Sequence, residues 1–340
     1  MTTRVISVIA PCRNERAHIL AFCDAVQAQR LPAGFELEVL VADGMSDDGT
    51  RELLAQRCLR DPRFAIVDNP GRIVSAGLNR CIERARGDLV ARMDIHTEYA
   101  SDYLAECVAA LERTRADNVG GPWVARGASG WQAAIAAAFQ SRYVVGGARS
   151  RDIAYEGPVD TVYLGCWPRA SFERFGGFDE DLVRNQDDEH NLRMNRAGAL
   201  VWQSARIHSV YHPRGSLAQL FAQQRQYGYW RPFVMRKHGQ SASVRQLVPG
   251  AFVAALALCT VAALAWPASG VALAALVLLY AAYVGVASLD IARRGGASML
   301  LRAPAVIAAY HFGYGLGSLR GVFDLLWRGR PAAAFGRLTR

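Results

Sequence analysis

Two short clusters in this chain hold residue types that do chemistry. In Asp94-Ile95-His96 a carboxylate and an imidazole occupy alternate positions just after an apolar run, so both can turn toward one ion. A hard carboxylate with an imidazole tolerates Mn²⁺ as readily as Mg²⁺, and such an ion could neutralise an anionic leaving group. D-x-H is a short pattern, and a strand-end Asp beside a surface His satisfies it equally well. In Gln186-Asp187-Asp188-Glu189-His190 three carboxylates stand in a row at the head of a helical stretch. One of them could accept a proton from a hydroxyl. Two are accounted for as first-turn acids that favour the helix dipole. Asp187 is taken as the base because a place ahead of the helix leaves it freest to face a cleft, although periodicity alone does not force that choice.

These residues need elements to position them. Val5–Ala10 reads as a buried strand stopped by Pro11, and a helical pattern follows over 17–29. Leu37–Ala42 is a second strand ending at Asp43. Asp47 or Asp48 can cap the helix after it, which runs through Cys58. Phe64–Val67 is a third strand, followed by a helix over 73–85, and Leu89–Met93 is a fourth strand ending at Asp94. Alternation at this spacing predicts an α/β fold with a mostly parallel sheet flanked by helices. Asn14 and Glu15, then Asp43, then Asp94 and His96 all fall just past the carboxyl ends of strands, the edge where open α/β sheets bind ligands. One strand-end acid is an ordinary loop residue or cap; three successive strands ending this way favour a site.

Farther on, 129–145 and 216–238 read as helices, Tyr163–Cys166 as a strand, and 188–198 as a helix stopped by Gly198. Hydrophobic residues make up 51% of the 340 and charged residues 20%, which excludes a disordered chain. That average hides a shift, because 247–289 is almost free of charge. Two runs, 248–266 and 270–289, approach the ~20 residues that span a bilayer. The short uncharged link Pro267-Ala268-Ser269 suits a hairpin. A third, weaker apolar stretch over 303–319 would, if it spanned, put Arg328, Arg330, Arg337 and Arg340 outside, so a re-entrant or interfacial path is expected.

The net charge is +9, but no nucleic-acid motif accompanies it. Arg231, Arg236, Lys237, Arg245, Arg293, Arg294 and Arg302 flank the apolar runs, as expected at an anionic cytoplasmic leaflet. Both ends of the hairpin are therefore expected in the cytoplasm, with residues 1–240 as a cytoplasmic domain and 241–340 as a membrane domain. No signal-peptide pattern opens the sequence. Seven scattered cysteines without a C-x-x-C pair predict neither a zinc site nor a disulfide framework.

The ordered set of motifs resembles glycosyltransferase family 2. It comprises Ile9-Ala10-Pro11-Cys12-Arg13-Asn14-Glu15, Val41-Ala42-Asp43-Gly44-Met45-Ser46-Asp47-Asp48-Gly49-Thr50, and Ala85-Arg86-Gly87-Asp88 leading to Arg92-Met93-Asp94-Ile95-His96. Gly176-Gly177-Phe178-Asp179-Glu180 with Asn185-Gln186-Asp187-Asp188-Glu189 extends it. Gln223-Gln224-Arg225-Gln226-Tyr227-Gly228-Tyr229-Trp230 looks like a loosened Q-x-x-R-W element. The details are most similar to the ExoA-like succinoglycan glucosyltransferase branch.

That resemblance implies a GT-A fold carrying a C-terminal transmembrane hairpin. It implies an inverting, metal-dependent transfer from a UDP-sugar in exopolysaccharide or cell-surface glycan synthesis, and the membrane hairpin with its basic collar suits a polyprenyl-diphosphate-linked saccharide as the acceptor. By position, Pro11, Asn14 and Glu15 would line the nucleotide pocket and Asp43 would receive a hydrogen bond from uracil. Asp94, with His96 in the place of a second Asp, would hold Mn²⁺ or Mg²⁺, and Asp187 would deprotonate the acceptor. Gln224, Arg225 and Trp230 would lie near the diphosphate and acceptor sugar. The sequence departs from the family at His96, at Gln186 where a Glu is usual, and in the Q-x-x-R-W spacing.

Other classes fit less well. A nicotinamide-dependent oxidoreductase should carry G-x-G-x-x-G after its first strand, where Pro11-Cys12-Arg13-Asn14-Glu15 stands. A non-catalytic membrane-anchored nucleotide-sugar-binding module shares the topology, but acids at both Asp94 and Asp187 argue for catalysis. A processive synthase needs more membrane mass than two spans provide, which favours single-sugar addition.

Overall fold

The computed structural model describes residues 3–239 and 243–336. Within them the chain forms two compact units, one from residues 3–124 and 149–211 and one from 125–148, 212–239 and 243–336. The boundary expected at 240/241 lies outside the described residues, as do Arg337 and Arg340.

The first unit opens with β1 (Arg4–Cys12), α1 (Ile19–Gln27), β2 (Phe35–Asp43), α2 (Thr50–Arg60), β3 (Phe64–Asp68), α3 (Val74–Arg84) and β4 (Leu89–Arg92). Next come β5 (Thr97–Tyr99), α4 (Tyr103–Thr114), β6 (Asn118–Gly121) and the short β7 (Val124–Ala125). After α5 (Gly130–Phe139) and α6 (Arg142–Val145), which belong to the second unit, the first resumes. It adds β8 (Gly157–Pro158), β9 (Tyr163–Pro168), α7 (Arg169–Phe175), α8 (Gln186–Arg196), β10 (Val201–Gln203) and β11 (Ser209–Tyr211).

One eight-stranded sheet runs in the order β3-β2-β1-β4-β9-β6-β10-β8. The strands β3, β2, β1 and β4 are mutually parallel, whereas β9 lies antiparallel between β4 and β6. The alternation of β1, β2 and β4 is buried on both faces, as a sheet covered by helices on both sides requires. Ile6, Val8 and Ala10 with Leu37, Val39, Val41, Leu89 and Ala91 pack against α1, α2 and α4. Ile9, Leu40, Ala42 and Val90 face a second layer with Leu78 of α3, Phe172 of α7 and Met194 of α8. Burying each such aliphatic side chain contributes roughly 1.5–3 kcal/mol.

The motif Ala85-Arg86-Gly87-Asp88 serves this sheet rather than a ligand. Arg86 donates through its backbone N–H and Nε to Glu38, Gly87 donates its N–H to Ser7 Oγ, and Asp88 accepts from the Val5 N–H. Ser7 Oγ completes the group by donating to Glu38 at 2.5 Å. Polar residues that interrupt two buried strands are thereby satisfied.

The second unit contains α5 and α6 with α9 (Leu217–His238), α10 (Val248–Ala265), α11 (Gly270–Gly295) and α12 (Ala303–Arg328). Ser216 caps α9 by accepting from the Gln219 N–H. Two segments, Val248–Ala265 and Pro267–Gly295, are long and apolar enough to cross a membrane, each with a mean hydropathy of 2.2 and little of its surface buried. They fit a C-terminal hairpin, and its second arm runs on past the expected end at 289.

Of the two paths expected for 303–319, re-entrant or interfacial, the helix formed there bears on the first alone. The stretch is part of one unbroken helix of 26 residues, with no reversal of the kind a re-entrant path needs. Glycines of α12 let it lie directly on α9: a Cβ at Gly317 would sit 2.1 Å from the Arg225 carbonyl oxygen. The pair is pinned farther along, where Tyr229 donates its hydroxyl proton to Asp324 at 2.9 Å, and Arg320 pairs with the same buried carboxylate. That packing is why α9 groups with the C-terminal helices rather than with the first 211 residues.

Candidate active site

At the carboxyl edge of the parallel strands, the segments after β1 and β2 are stitched to each other. Asn14 takes a left-handed backbone conformation (φ 52°), and its N–H donates to Ser46 Oγ at 2.8 Å. Its side-chain amide exchanges two hydrogen bonds with Asp47, and the Glu15 N–H donates to Thr50 Oγ1. Asn tolerates this backbone because its short polar side chain bonds locally. Asp48 accepts from the Thr50 N–H at the start of α2 and from the Arg16 N–H, so it is the nearer of the two acids expected to cap that helix. The strand β1 does not stop at Pro11 as expected: Pro11 pairs opposite Ala42, and Cys12 ends the strand opposite Asp43.

Asp43 is sealed from solvent. Its carboxylate accepts from Ser46 Oγ at 2.6 Å and from Arg51 at 3.0 Å, and Arg51 reaches on to Asp68 at the end of β3. A buried carboxylate is tolerable only when paired and hydrogen-bonded, and Ser46 with Arg51 does that. Neither helper stands out in the sequence. Asp43 therefore ties the ends of β2 and β3 together, whatever else it binds.

Asp94 follows the last residues of β4 and is clamped from two positions back. Arg92 Nε donates to Oδ1 at 2.8 Å and Nη2 to Oδ2 at 3.0 Å, and the two side chains are 7% and 17% exposed. Such a fork-on-carboxylate pair fixes the plane of the acid as well as its charge. The Tyr99 hydroxyl donates to the Asp94 carbonyl and holds the backbone.

His96 is more open, at 47% exposure, and its Nδ1 lies 3.7 Å from Glu15 Oε1. The structure thus brings His96 to Glu15, a pairing that spacing does not predict. Beside it an aromatic wall rises: Tyr211 stands edge-on to His96, and Trp123 stacks on Tyr163 and meets Tyr211 edge-on. The Arg151 guanidinium lies over the Trp123 ring, and Tyr163 bonds Thr97 through its hydroxyl. These aromatics, Trp123, Tyr163 and Tyr211, are far apart in the chain, so no local pattern announces them.

Among the described residues no group of three or more His, Cys, Asp or Glu could hold a metal by itself. The acids present suit an ion of another kind, one that arrives on a diphosphate and keeps water ligands, as Mg²⁺ and Mn²⁺ do at one or two carboxylates. Asp94 would hold it, because a carboxylate accepting two hydrogen bonds retains further lone pairs.

The three acids of Asp187-Asp188-Glu189 separate once folded. Glu189 is fully buried and pairs with Arg193 at 3.1 Å, and that guanidinium also donates to the Phe175 and Gly177 carbonyls. His190 is buried among Trp167, Phe172 and Phe178, with Nε2 3.1 Å from the Gly176 carbonyl. Loss of solvent drives its pKa down to about 4, with the nearby Arg193 charge adding to the effect, so the ring is neutral. These contacts bind α8 to the Gly176-Gly177 turn, which Asn79 holds from the other side through Phe178.

Asp187 does not precede the helix as expected. It lies in the first turn, after an Asn185 in the left-handed conformation. Its Oδ1 accepts from the Asp188 N–H, and its carbonyl accepts from Asn191, which also receives a hydrogen bond from Asn118 of β6. Loss of solvent pushes the Asp187 carboxyl above the ordinary carboxylate range and the Asp188 charge adds to this, while the Arg92 charge opposes both. A raised carboxyl is what a proton acceptor for a hydroxyl needs.

The thiols of Cys12, Cys23 and Cys81 are buried and pushed up, as inert core cysteines are. Gln224, Arg225 and Trp230 belong to the second unit. There Gln224 and Trp230 are buried, with Trp230 against Tyr229 and Phe233, and the exposed Arg225 lies over the Phe335 ring.

Residues 7–167 match the family model for Glycosyl transferase family 2. Over 251 residues the chain is 33% identical to the succinoglycan biosynthesis protein ExoA of Rhizobium meliloti (strain 1021), covering 73% of this chain and 76% of that protein. It is 27% identical over 241 residues to a dolichyl N-acetyl-alpha-D-glucosaminyl phosphate 3-beta-D-2,3-diacetamido-2,3-dideoxy-beta-D-glucuronosyltransferase of Methanococcus voltae, covering 68% and 74%. In fold it is similar to the mannosyltransferase PcManGT of Pyrobaculum calidifontis, solved with GDP-Man and Mn²⁺. That match has a TM-score of 0.56 and 20% identity, over 95% of this chain and 87% of that one.

Proposed function

The chain belongs to glycosyl transferase family 2, in its ExoA-like branch, and from that premise we propose that it adds single sugars from a UDP-sugar to a lipid-linked saccharide at a membrane. The pathway is exopolysaccharide or cell-surface glycan synthesis, the chemistry named for the relative from Rhizobium meliloti. One observation carries the reading: a strand-end acid held by a buried arginine, Asp94 on Arg92, with the raised carboxyl of Asp187 within the field of the same charge.

In this reading Pro11, Asn14 and Glu15 line the nucleotide pocket, and Asp43 anchors the loop that meets the base. Asp94 and His96 would hold the divalent ion. When bound, Mn²⁺ or Mg²⁺ supplies positive charge against the departing diphosphate. Asp187 accepts the proton of the acceptor hydroxyl as that oxygen attacks the anomeric carbon from the face opposite the diphosphate, so configuration inverts. Gln224, Arg225 and Trp230 are assigned to the diphosphate and acceptor sugar.

The acceptor's polyprenyl diphosphate suits the apolar hairpin and its basic collar of Arg236, Lys237, Arg245, Arg293, Arg294 and Arg302. Positive-inside placement puts both ends of that hairpin, and the catalytic residues, on the cytoplasmic side. The 303–328 helix lies at the interface. Single addition is favoured over processive extrusion because, among the described residues, only two helices are long and apolar enough to span.

The test is a screen of UDP-sugars against the full chain in detergent, with Mn²⁺ and Mg²⁺ compared. One UDP-sugar should bind and be hydrolysed slowly to UDP and free sugar, and only with a divalent ion present. Equal release in chelator overturns the metal assignment, and failure of every UDP-sugar to bind, with GDP- or dTDP-sugars run alongside and binding instead, overturns the donor assignment.

A further inference from the structure

The helix α12 carries two seams on opposite sides. At 3.6 residues per turn, Gly313, Gly317, Gly321 and Asp324 share one face, and Phe312, Gly315, Val322 and Leu326 share the other. The first seam lies on α9. A Cβ at Gly313 would come 2.8 Å from the Phe221 carbonyl oxygen, and one at Gly321 would come 2.3 Å from that of Tyr229. The two backbones therefore touch along the whole of that side.

The second seam is covered for half its length, and the cover is the hairpin. Phe312 meets Phe252 of α10 and Tyr280 of α11 edge-on. A Cβ at Gly315 would stand 2.5 Å from the Pro249 carbonyl oxygen and 2.6 Å from Val253, and Ser318 lies against Gly250. Pro249 and Gly250 belong to the first turn of α10, one of the two segments apolar enough to cross a membrane. The helix α12 thus passes the hairpin at its foot and runs on beyond it.

Past Ser318 the same seam stays apolar but loses its cover. Val322 and Phe323 are exposed, Leu326 and Trp327 are 74% and 77% exposed, and Phe323 stacks on Trp327 with ring centroids 5.2 Å apart. The acid in this stretch, Asp324, is buried on the α9 side and paired with Arg320 and Arg328. A helix facing water along this seam would carry polar and charged residues there. Instead two aromatic and two aliphatic side chains stand between Arg320, Arg328 and Arg330. That is the composition of a helix lying in a headgroup layer, with its apolar side in the acyl chains and its arginines reaching up to phosphates.

We propose that the outer seam of α12 from Val322 to Trp327 is a lipid-binding face, seated in the acyl boundary of an anionic bilayer while α9 packs on the opposite side of the helix. This rests on the reading of α10 and α11 as a membrane-spanning hairpin, and it names the side chains of α12 that meet the lipid. Two observations select a bilayer rather than another protein. The seam runs without a break from the foot of the hairpin, where α10 enters lipid, to the exposed residues. The arginines around it complement anionic phospholipid headgroups.

The experiment uses the full chain in nanodiscs of phosphatidylethanolamine and phosphatidylglycerol, with or without bromine on the acyl chains close to the headgroup. Bromine extinguishes the emission of a tryptophan only on contact. The parent is compared with Trp327→Phe, which keeps an exposed aromatic ring in place, and with Trp266→Phe at the hairpin turn. The emission that bromine removes from the parent should be smaller in each variant, because each has lost one lipid-contacting tryptophan. If Trp266→Phe lowers the quenched emission and Trp327→Phe does not, the hairpin stands and the lipid-binding face of α12 is overturned. If neither variant lowers it, the hairpin reading fails and the proposal falls with it. The rival occupant is a second copy of this chain. Leu326→Cys that oxidises to a linked dimer in vesicles of the same lipids, with Trp327 unquenched, would put that copy on the seam and overturn the assignment to lipid.

Discussion

Glu189 and Arg193 form an ion pair across one turn of α8 at 3.1 Å, with the glutamate wholly buried and the arginine also donating to the Phe175 and Gly177 carbonyls. That pair removes Glu189 as a possible base, since a carboxylate locked inside a helix–turn joint meets no substrate. Breaking a buried pair leaves one uncompensated charge. Glu189→Ala should therefore destabilise the protein by about 3–5 kcal/mol, and Glu189→Gln, which retains the shape, by about 1–3 kcal/mol. Denaturant unfolding of the purified protein measures both. Turnover per folded molecule should change little in the Gln variant, and a Gln variant that is fully stable yet inactive would return Glu189 to the chemistry.

Asp187 makes the opposite prediction. A base works only when deprotonated, and a carboxyl raised by lost solvent and the Asp188 charge releases its proton at a higher pH than the ordinary carboxylate value of about 3.9. Activity should fall as pH drops through that raised value, so the acid limb of kcat lies above the ordinary carboxylate range. Linkage gives the sign for stability. The native state holds this proton to higher pH than the unfolded chain does, so above its native pKa the ionised Asp187 lowers stability. Asp187→Asn should abolish transfer, leave UDP binding largely intact, and unfold at the same temperature as the parent or higher at neutral pH. A variant that loses stability and activity together contradicts this account.

Most of the sheet is legible in the sequence because buried parallel strands are short apolar runs ended by acids; β2 to β4 follow that rule, while β1 runs one residue past its expected stop at Pro11 and ends at Cys12. The site is legible only where chemistry coincides with such an ending, at Asp43 and Asp94. What local patterns miss is long-range. Arg51 reaches Asp43 from a helix, Glu15 meets His96 across 81 positions, and Tyr163 and Tyr211 join Trp123 from separate strands. Arg92 does leave a trace: an arginine that ends an apolar strand, two residues before Asp94, is a buried charge that must have a partner. A place ahead of the helix does not single out Asp187, because the helix begins at Gln186; burial and the Arg92 charge, neither visible in a local pattern, are the better reasons.

The ion pair of Arg51 with Asp43 predicts a separation of functions. Arg51 is 41% exposed while Asp43 is sealed, so Arg51→Met leaves a buried carboxylate held only by Ser46. Its screened partner makes the stability cost modest, ~1–3 kcal/mol. The larger effect should be on the nucleotide: with the β2 and β3 ends untied, UDP binding weakens by about tenfold, read by calorimetry with Mn²⁺. Saturating donor should restore kcat, because the residues around Asp187 are untouched. A fall in kcat at saturation would show that the Asp43 loop takes part in the chemical step.

The packing of α12 on α9 can be tested at a single atom. A Cβ added at Gly317 would meet the Arg225 carbonyl oxygen at 2.1 Å, backbone against backbone, with no side chain able to swing away. Gly317→Ala must therefore push the two helices apart, and with them the buried Tyr229–Asp324 hydrogen bond. In an open helical position the same change is favourable by about 0.5–1 kcal/mol, because alanine restricts the unfolded chain. Gly285 of α11 is such a position, with nothing within 4 Å of the added atom. Thermal unfolding in one detergent should then show Gly317→Ala well below the parent and Gly285→Ala level with it or above. If both variants melt alike, α12 does not rest on α9 through its glycine face. Deleting the chain from Leu247 onward should in that case release a soluble remainder, where close packing instead predicts that the deletion bares the α12-facing side of α9 and yields aggregated protein.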